Sequence, residues 1–223
     1  MSCSAHFLAF FLFLTLWFHG GEVVAQSQFT TEQEQQFHEY VTAALAHGQY
    51  DDVSQLLSGR PNDDPPATAI RARLLAQRGR YAEAKALIGP IAEANPGSAA
   101  GLEFAVLLVE TGRSTEAQRY LQAVVDTGAG SQIGLELYRG GLASRQLDRY
   151  RDANAFFRNA IAALPSDPAV HTAWAELFLE KYNRSDAVRS FQEALAVDEQ
   201  WAPAHLGLAR ALVNENPPAA RAS

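Results

Sequence analysis

The sequence predicts an all-α fold, a solenoid of antiparallel helix pairs. Three observations carry this. First, a small residue recurs at Val53, Ala84, Ala117, Ala153 and Ala187, at spacings of 31, 33, 36 and 34 residues. Second, a larger apolar residue follows each four places later: Leu57, Ile88, Leu121, Phe157 and Phe191. Three further on, Ile91, Val124, Ala160 and Ala194 restore an apolar position in four of the five phrases. Third, another helical pattern lies upstream of these phrases, as in Phe37, Tyr40, Val41 and Ala44, then Leu102, Ala105 and Leu108, then Trp174, Ala175 and Phe178, then Leu208, Ala209 and Leu212. Each unit is therefore helix, tight turn, helix. Small residues fall where two helices approach closely, and the large ones fill the gap beside them. One pair cannot bury its apolar face alone, so stacked neighbours share a continuous core.

In chain order, the first element is Phe7 to Phe18, "FLAFFLFLTLWF", an apolar run of 12 residues. As a helix it would span roughly 18 Å against a hydrocarbon core of about 30 Å, too short to cross comfortably. It suits a signal-peptide core, with Val23-Val24-Ala25 supplying small residues for cleavage after Ala25. Residues 1–25 are thus expected as a signal peptide, with export to the periplasm or another extracytoplasmic space. No Lys or Arg precedes the run, so an uncleaved N-terminal membrane anchor is the alternative. The only cysteine, Cys3, lies in this leader, which leaves the mature chain with no disulfide framework and no thiol nucleophile.

Residues 26–33 are expected as a linker and 34–223 as the repeat domain, about five units with an incomplete sixth. Turn signals precede the second helices at Gly48-Gln49-Tyr50, Gly79-Arg80-Tyr81, Gly112-Arg113 and Asp148-Arg149-Tyr150. Pro96 and Pro165 end helices, since proline lacks the amide donor. Asp63-Asp64-Pro65-Pro66 reads as a rigid linker between units. Gly140-Gly141 falls inside a first helix, at about 1 kcal/mol per glycine, and predicts local irregularity there. The last unit begins at Ala202 and meets Pro217-Pro218 where its second helix should start.

The period near 34, two helices per unit and the small-then-large pattern resemble the tetratricopeptide repeat (TPR) over residues 31–223. The resemblance implies a right-handed superhelical solenoid whose first helices line a concave groove, a site for an extended peptide or a partner helix. Thr68, Gly101, His171 and His205 stand where the family places Trp or Leu. Some TPR domains grip a terminal carboxylate with a Lys and Asn set, and no such set recurs here. The chain also resembles, more weakly, TPR arrays at the front of larger exported bacterial proteins, some with a protease-like domain. That implies an alternative, the N-terminal module of a larger exported enzyme.

A net charge of −7 argues against general nucleic-acid binding. Asp126-Thr127-Gly128 matches the aspartic-protease signature, but that chemistry needs a preceding strand and a second Asp. Here the preceding stretch has helical period, so a helix C-terminus and a glycine-rich joint through Gly128, Gly130 and Gly134 is expected. None of His38, His47, His171 and His205 sits in a metal-binding pattern, and no nucleophile elbow occurs. No catalytic residue, cofactor or metal is expected, nor a membrane span in the mature chain. The expected function is a non-catalytic protein-protein interaction scaffold with a protein or peptide partner. Its expected groove residues are His38, Arg73, Glu103, Tyr138, Arg139, Glu176 and Arg210.

Overall fold

Helix pairs follow one another through residues 29–213, which the computed structural model describes. The expected signal peptide, residues 26–28 of the expected linker and the stretch around Pro217-Pro218 lie outside those residues. Five pairs are followed by a single helix: α1 (Thr31–Ala46) with α2 (Tyr50–Ser58), α3 (Pro65–Gln77) with α4 (Tyr81–Ala94), α5 (Ala99–Glu110) with α6 (Ser114–Ala129), α7 (Gly134–Gln146) with α8 (Tyr150–Ala163), α9 (Pro168–Glu180) with α10 (Arg184–Val197), then α11 (Ala202–Leu212). No strand occurs among the described residues.

The five small residues expected at helix crossings are all 0% exposed. Ile88, Phe157 and Phe191 beside them are also fully buried, with Leu57 and Leu121 nearly so. Tyr40 departs from the expected core and is 65% exposed. Helix α1 packs on α2 and α3 through Phe37, Val41 and Ala44, and Tyr40 sits about 100° round the helix from Val41. Helix α1 also starts inside the stretch expected as linker. Its capping box explains the early start: Gln33 N donates to Thr30 Oγ1 at 3.2 Å, and Thr30 N donates to Gln33 Oε1 at 2.9 Å.

The turn inside each unit has one construction. A residue with positive φ stands five places before each small residue: Gly48, Gly79, Gly112, Asp148 and Tyr182. The next amide donates to a carbonyl five residues back, as Arg80 N does to Leu75 O at 2.9 Å and Asn183 N to Phe178 O at 3.0 Å. This is the Schellman closure, which satisfies the last carbonyls of the first helix and turns the chain.

The joints between units are tied by side chains. Thr68 Oγ1 donates to Asn62 O at 2.9 Å. His171 Nε2 meets Pro165 O at 3.0 Å, and His205 Nε2 meets Glu199 O at 2.8 Å. Three of the four positions that depart from the TPR pattern therefore fasten the preceding joint, each to a carbonyl six residues earlier. The fourth, Gly101, has no room for a side chain, since a Cβ would lie 1.9 Å from Pro96 O.

The irregularity expected at Gly140-Gly141 does not occur: α7 runs unbroken through both. The glycines admit the rings of α8, because a Cβ on Gly140 would lie 2.9 Å from Phe156 Cε1 and one on Gly141 2.6 Å from Phe157 Cε1. The expected glycine-rich joint is also shorter than its sequence suggests. Helix α6 continues through Asp126-Thr127-Gly128, and Gly134 opens α7. Asp64 is more than linker. It caps α3 by accepting from Ala67 N at 3.1 Å, is nearly buried, and sits 3.4 Å from Arg60 Nη1. Arg60 also pairs with Glu34 at 3.0 Å and lies 4.2 Å over the Phe37 ring.

Candidate functional site

The first helices face one another across a cavity of about 110 Å³, walled by α1, α3, α5 and α7 alone. His38 of α1, Arg73 of α3, Glu103 of α5, and Tyr138 and Arg139 of α7 all line it, so five of the expected groove residues meet there. Glu176 and Arg210 do not. They form a separate pair on α9 and α11, with Arg210 Nη1 2.9 Å from Glu176 Oε1.

Arg73 donates to Glu103 Oε2 from Nε at 3.0 Å and from Nη2 at 2.5 Å. The Glu103 carboxylate raises the pKa of the Arg73 guanidinium. Burial pushes the Tyr138 phenol well above its ordinary value, and the charge of Asp167 adds to the shift. Tyr138 is thus a neutral ring that presents an edge-on contact to His38, centroids 5.7 Å apart. Arg139 has its Nε donated to Leu135 O at 3.1 Å, one turn back on α7. Burial lowers its pKa, while Glu136 and Glu34 oppose that shift. Arg139 also lines a second cavity of about 700 Å³ at the N-terminal ends of α1, α3, α5 and α7.

Two further residues extend the pair on α9 and α11. Arg145 donates from Nε to both carboxylate oxygens of Glu180 at 3.0 Å, and its Nη2 lies 3.9 Å from Glu176. The charges alternate across α7, α9 and α11 and leave a polar surface. Among the described residues, no group of three or more His, Cys, Asp or Glu is placed to hold a metal ion.

Helix α1 reaches across the inner face. His38 Nε2 lies 3.1 Å from Asp167 Oδ2 at the head of α9. His47 Nε2 lies 2.9 Å from Asp198 Oδ2 just past α10. Ala43 and Ala46 pack against the cluster of Ala175, Phe191, Trp201 and Leu208. His38 was among the residues expected on this face, whereas His47, Arg145, Asp167, Glu180 and Asp198 were not. The Asp-Pro steps at 64–65 and 167–168 mark helix caps in sequence. Nothing local marks their distant partners.

No protein-family model matches this sequence, and no curated protein matches it. Solved structures do resemble its fold. One is PilF of Pseudomonas aeruginosa, 20% identical over 73% of this chain and 75% of that one, with a TM-score of 0.51. Another is a putative kinesin light chain with nearly identical TPR-like repeats from Podosopora anserina, 17% identical over 72% of this chain and 91% of that one, with a TM-score of 0.51. A third is PilW, a type IV pilus biogenesis factor, 18% identical over 84% of this chain and 87% of that one, with a TM-score of 0.50. The chain is a TPR-like helical solenoid. At these identities the likeness is one of fold and carries no partner with it.

Proposed function

We propose that this chain is an exported, non-catalytic scaffold that binds a peptide or a partner helix on the concave face formed by its first helices. The observation that carries the reading is the convergence of Arg73, Glu103, Tyr138 and Arg139 on one cavity lined only by first helices. Tyr and Arg are frequent energetic anchors at protein interfaces. The mixed charge there favours a partner with both acidic and basic groups. The apolar run at Phe7 to Phe18 supports export. No described helix is long and apolar enough to cross a membrane.

The test is affinity capture from an envelope extract with the tagged chain as bait, followed by mass spectrometry. A discrete protein should be retained by the wild type and lost when Tyr138 and Arg139 are both replaced by Ala, with helicity checked by circular dichroism. Retention unchanged by the double substitution in a folded variant overturns the assignment of this face.

A further inference from the structure

The inner face that would receive a partner is partly filled by the chain itself. Helix α1 has two working sides. Phe37, Val41 and Ala44 pack it onto α2 and α3. Ala43 and Ala46, on the side turned away from Val41, touch the cluster built by α9, α10 and α11. On this second side the contact is thin. The alanines are only partly buried.

Two aspartates of the last units share one arrangement. Asp167 Oδ1 accepts from Ala169 N at 2.9 Å, and Asp198 Oδ1 accepts from Gln200 N at 2.9 Å. Each thus spends one oxygen on its own turn and presents the other, Oδ2, to a histidine of α1. The first of these meetings is poorly made. Asp167 is 3% exposed, yet neither its Oδ2 nor His38 Nε2 forms a well-directed hydrogen bond. A buried carboxylate oxygen in that state favours any donor that reaches it in better geometry.

We infer that α1 is a displaceable resident of the concave face, and that the partner fitting this face is an amphipathic helix of matching chemistry. Such a helix carries small residues at the places of Ala43 and Ala46, which let it approach α9–α11. It carries hydrogen-bond donors, with Lys or Arg favoured over His, at the places of His38 and His47, where Asp167 and Asp198 wait. Replacement needs only the second side of α1 to release, because its hold on α2 and α3 is separate. This inference rests on the proposed reading of the concave face as a binding surface.

The test is a fluorescent peptide of residues 30–48 titrated into the full chain and followed by anisotropy. Replacing His38 and His47 by Ala in the chain weakens its own α1, so the peptide should bind that variant about tenfold more tightly than wild type. Adding D167N and D198N, which keep turn-capping side chains, should abolish the gain. A peptide with Lys at both positions should outcompete the unmodified one. Equal affinity for wild type and variant, or a gain that survives D167N and D198N, overturns the inference. If the double-histidine variant unfolds, Ala43→Glu alters the second side alone. Unfolding of that variant too would show α1 to be integral, which also overturns the inference. The peptide is the chain's own helix, so exchange without capture of any outside protein overturns only the scaffold reading. Capture without exchange overturns only this inference.

Discussion

Arg73 Nη2 on α3 donates to Glu103 Oε2 on α5 across 2.5 Å, joining the first helices of adjacent units from the inside of the solenoid. Glu103 is 4% exposed, so its carboxylate depends on this partner. Arg73→Ala should therefore destabilise the fold by about 1–3 kcal/mol, the penalty of leaving a buried acceptor unpaired. The double variant with Glu103→Ala should cost less than the two single losses summed. Urea denaturation of the four proteins measures this, and strict additivity would rule the coupling out.

Gly141 is predicted to be irreplaceable, whereas Gly89 is not, although both lie inside helices. A Cβ at 141 would stand 2.6 Å from Phe157 Cε1, whereas at 89 the nearest atom, Phe104 Cζ, is 3.8 Å away. Gly141→Ala should cost about 1–3 kcal/mol through overpacking. Gly89→Ala should be neutral or gain up to about 1 kcal/mol from helix propensity. A thermal melt showing the reverse order would contradict the packing described at α7 and α8.

Tyr182 occupies a turn position that glycine fills in the first three units. Its φ is 60°, and it is 90% exposed. A left-handed backbone costs a residue with a side chain roughly 1–2 kcal/mol, partly offset by the greater freedom of glycine in the unfolded chain. Tyr182→Gly should raise the melting temperature. Gly112→Ala, at the same turn position with φ 78°, should lower it. A Tyr182→Gly variant less stable than wild type would show that the tyrosine has a role beyond the turn.

Asp64 gives a pH-dependent prediction. Burial raises its carboxyl pKa above 3.8, more than the Ala67 amide and Arg60 lower it. The folded state thus holds the proton more tightly than the unfolded one, so this group's contribution to stability falls as pH rises above 3.8. Asp64→Asn keeps a capping side chain and removes the titration. Its stability relative to wild type should improve as pH rises through that window. Asp64→Ala, which also loses the cap, should cost about 1 kcal/mol or more. A relative stability of Asp64→Asn that declines toward neutral pH would refute the sign.

The core was legible because its signal repeats. A small residue that touches a neighbouring helix must stay small, so Val53, Ala84, Ala117, Ala153 and Ala187 each announce a crossing. Gly140-Gly141 carried the opposite lesson. Helix propensity treats two glycines as a fault, but here they are the receiving surface for Phe156 and Phe157, and packing outweighs propensity. His171 and His205 stand at equivalent places, and sequence alone allows them to meet. Instead each bonds a carbonyl just upstream. In the candidate site, the places of the expected groove residues on first helices were legible from the repeat. Their division into two groups was not, because it depends on how far the stack curves. The contact of His47 with Asp198 lay beyond reach for the same reason.

That contact has a kinetic consequence. The side-chain ties at the joints link residues six apart in sequence, while His47 and Asp198 are 151 apart. Closing short loops is fast, and bringing distant segments together is slow. The helix pairs should therefore assemble early from any point along the chain, and the docking of α1 onto α9–α11 should come last. A stopped-flow trace should separate these into a rapid gain of helicity and a later phase that vanishes when His38 and His47 are replaced.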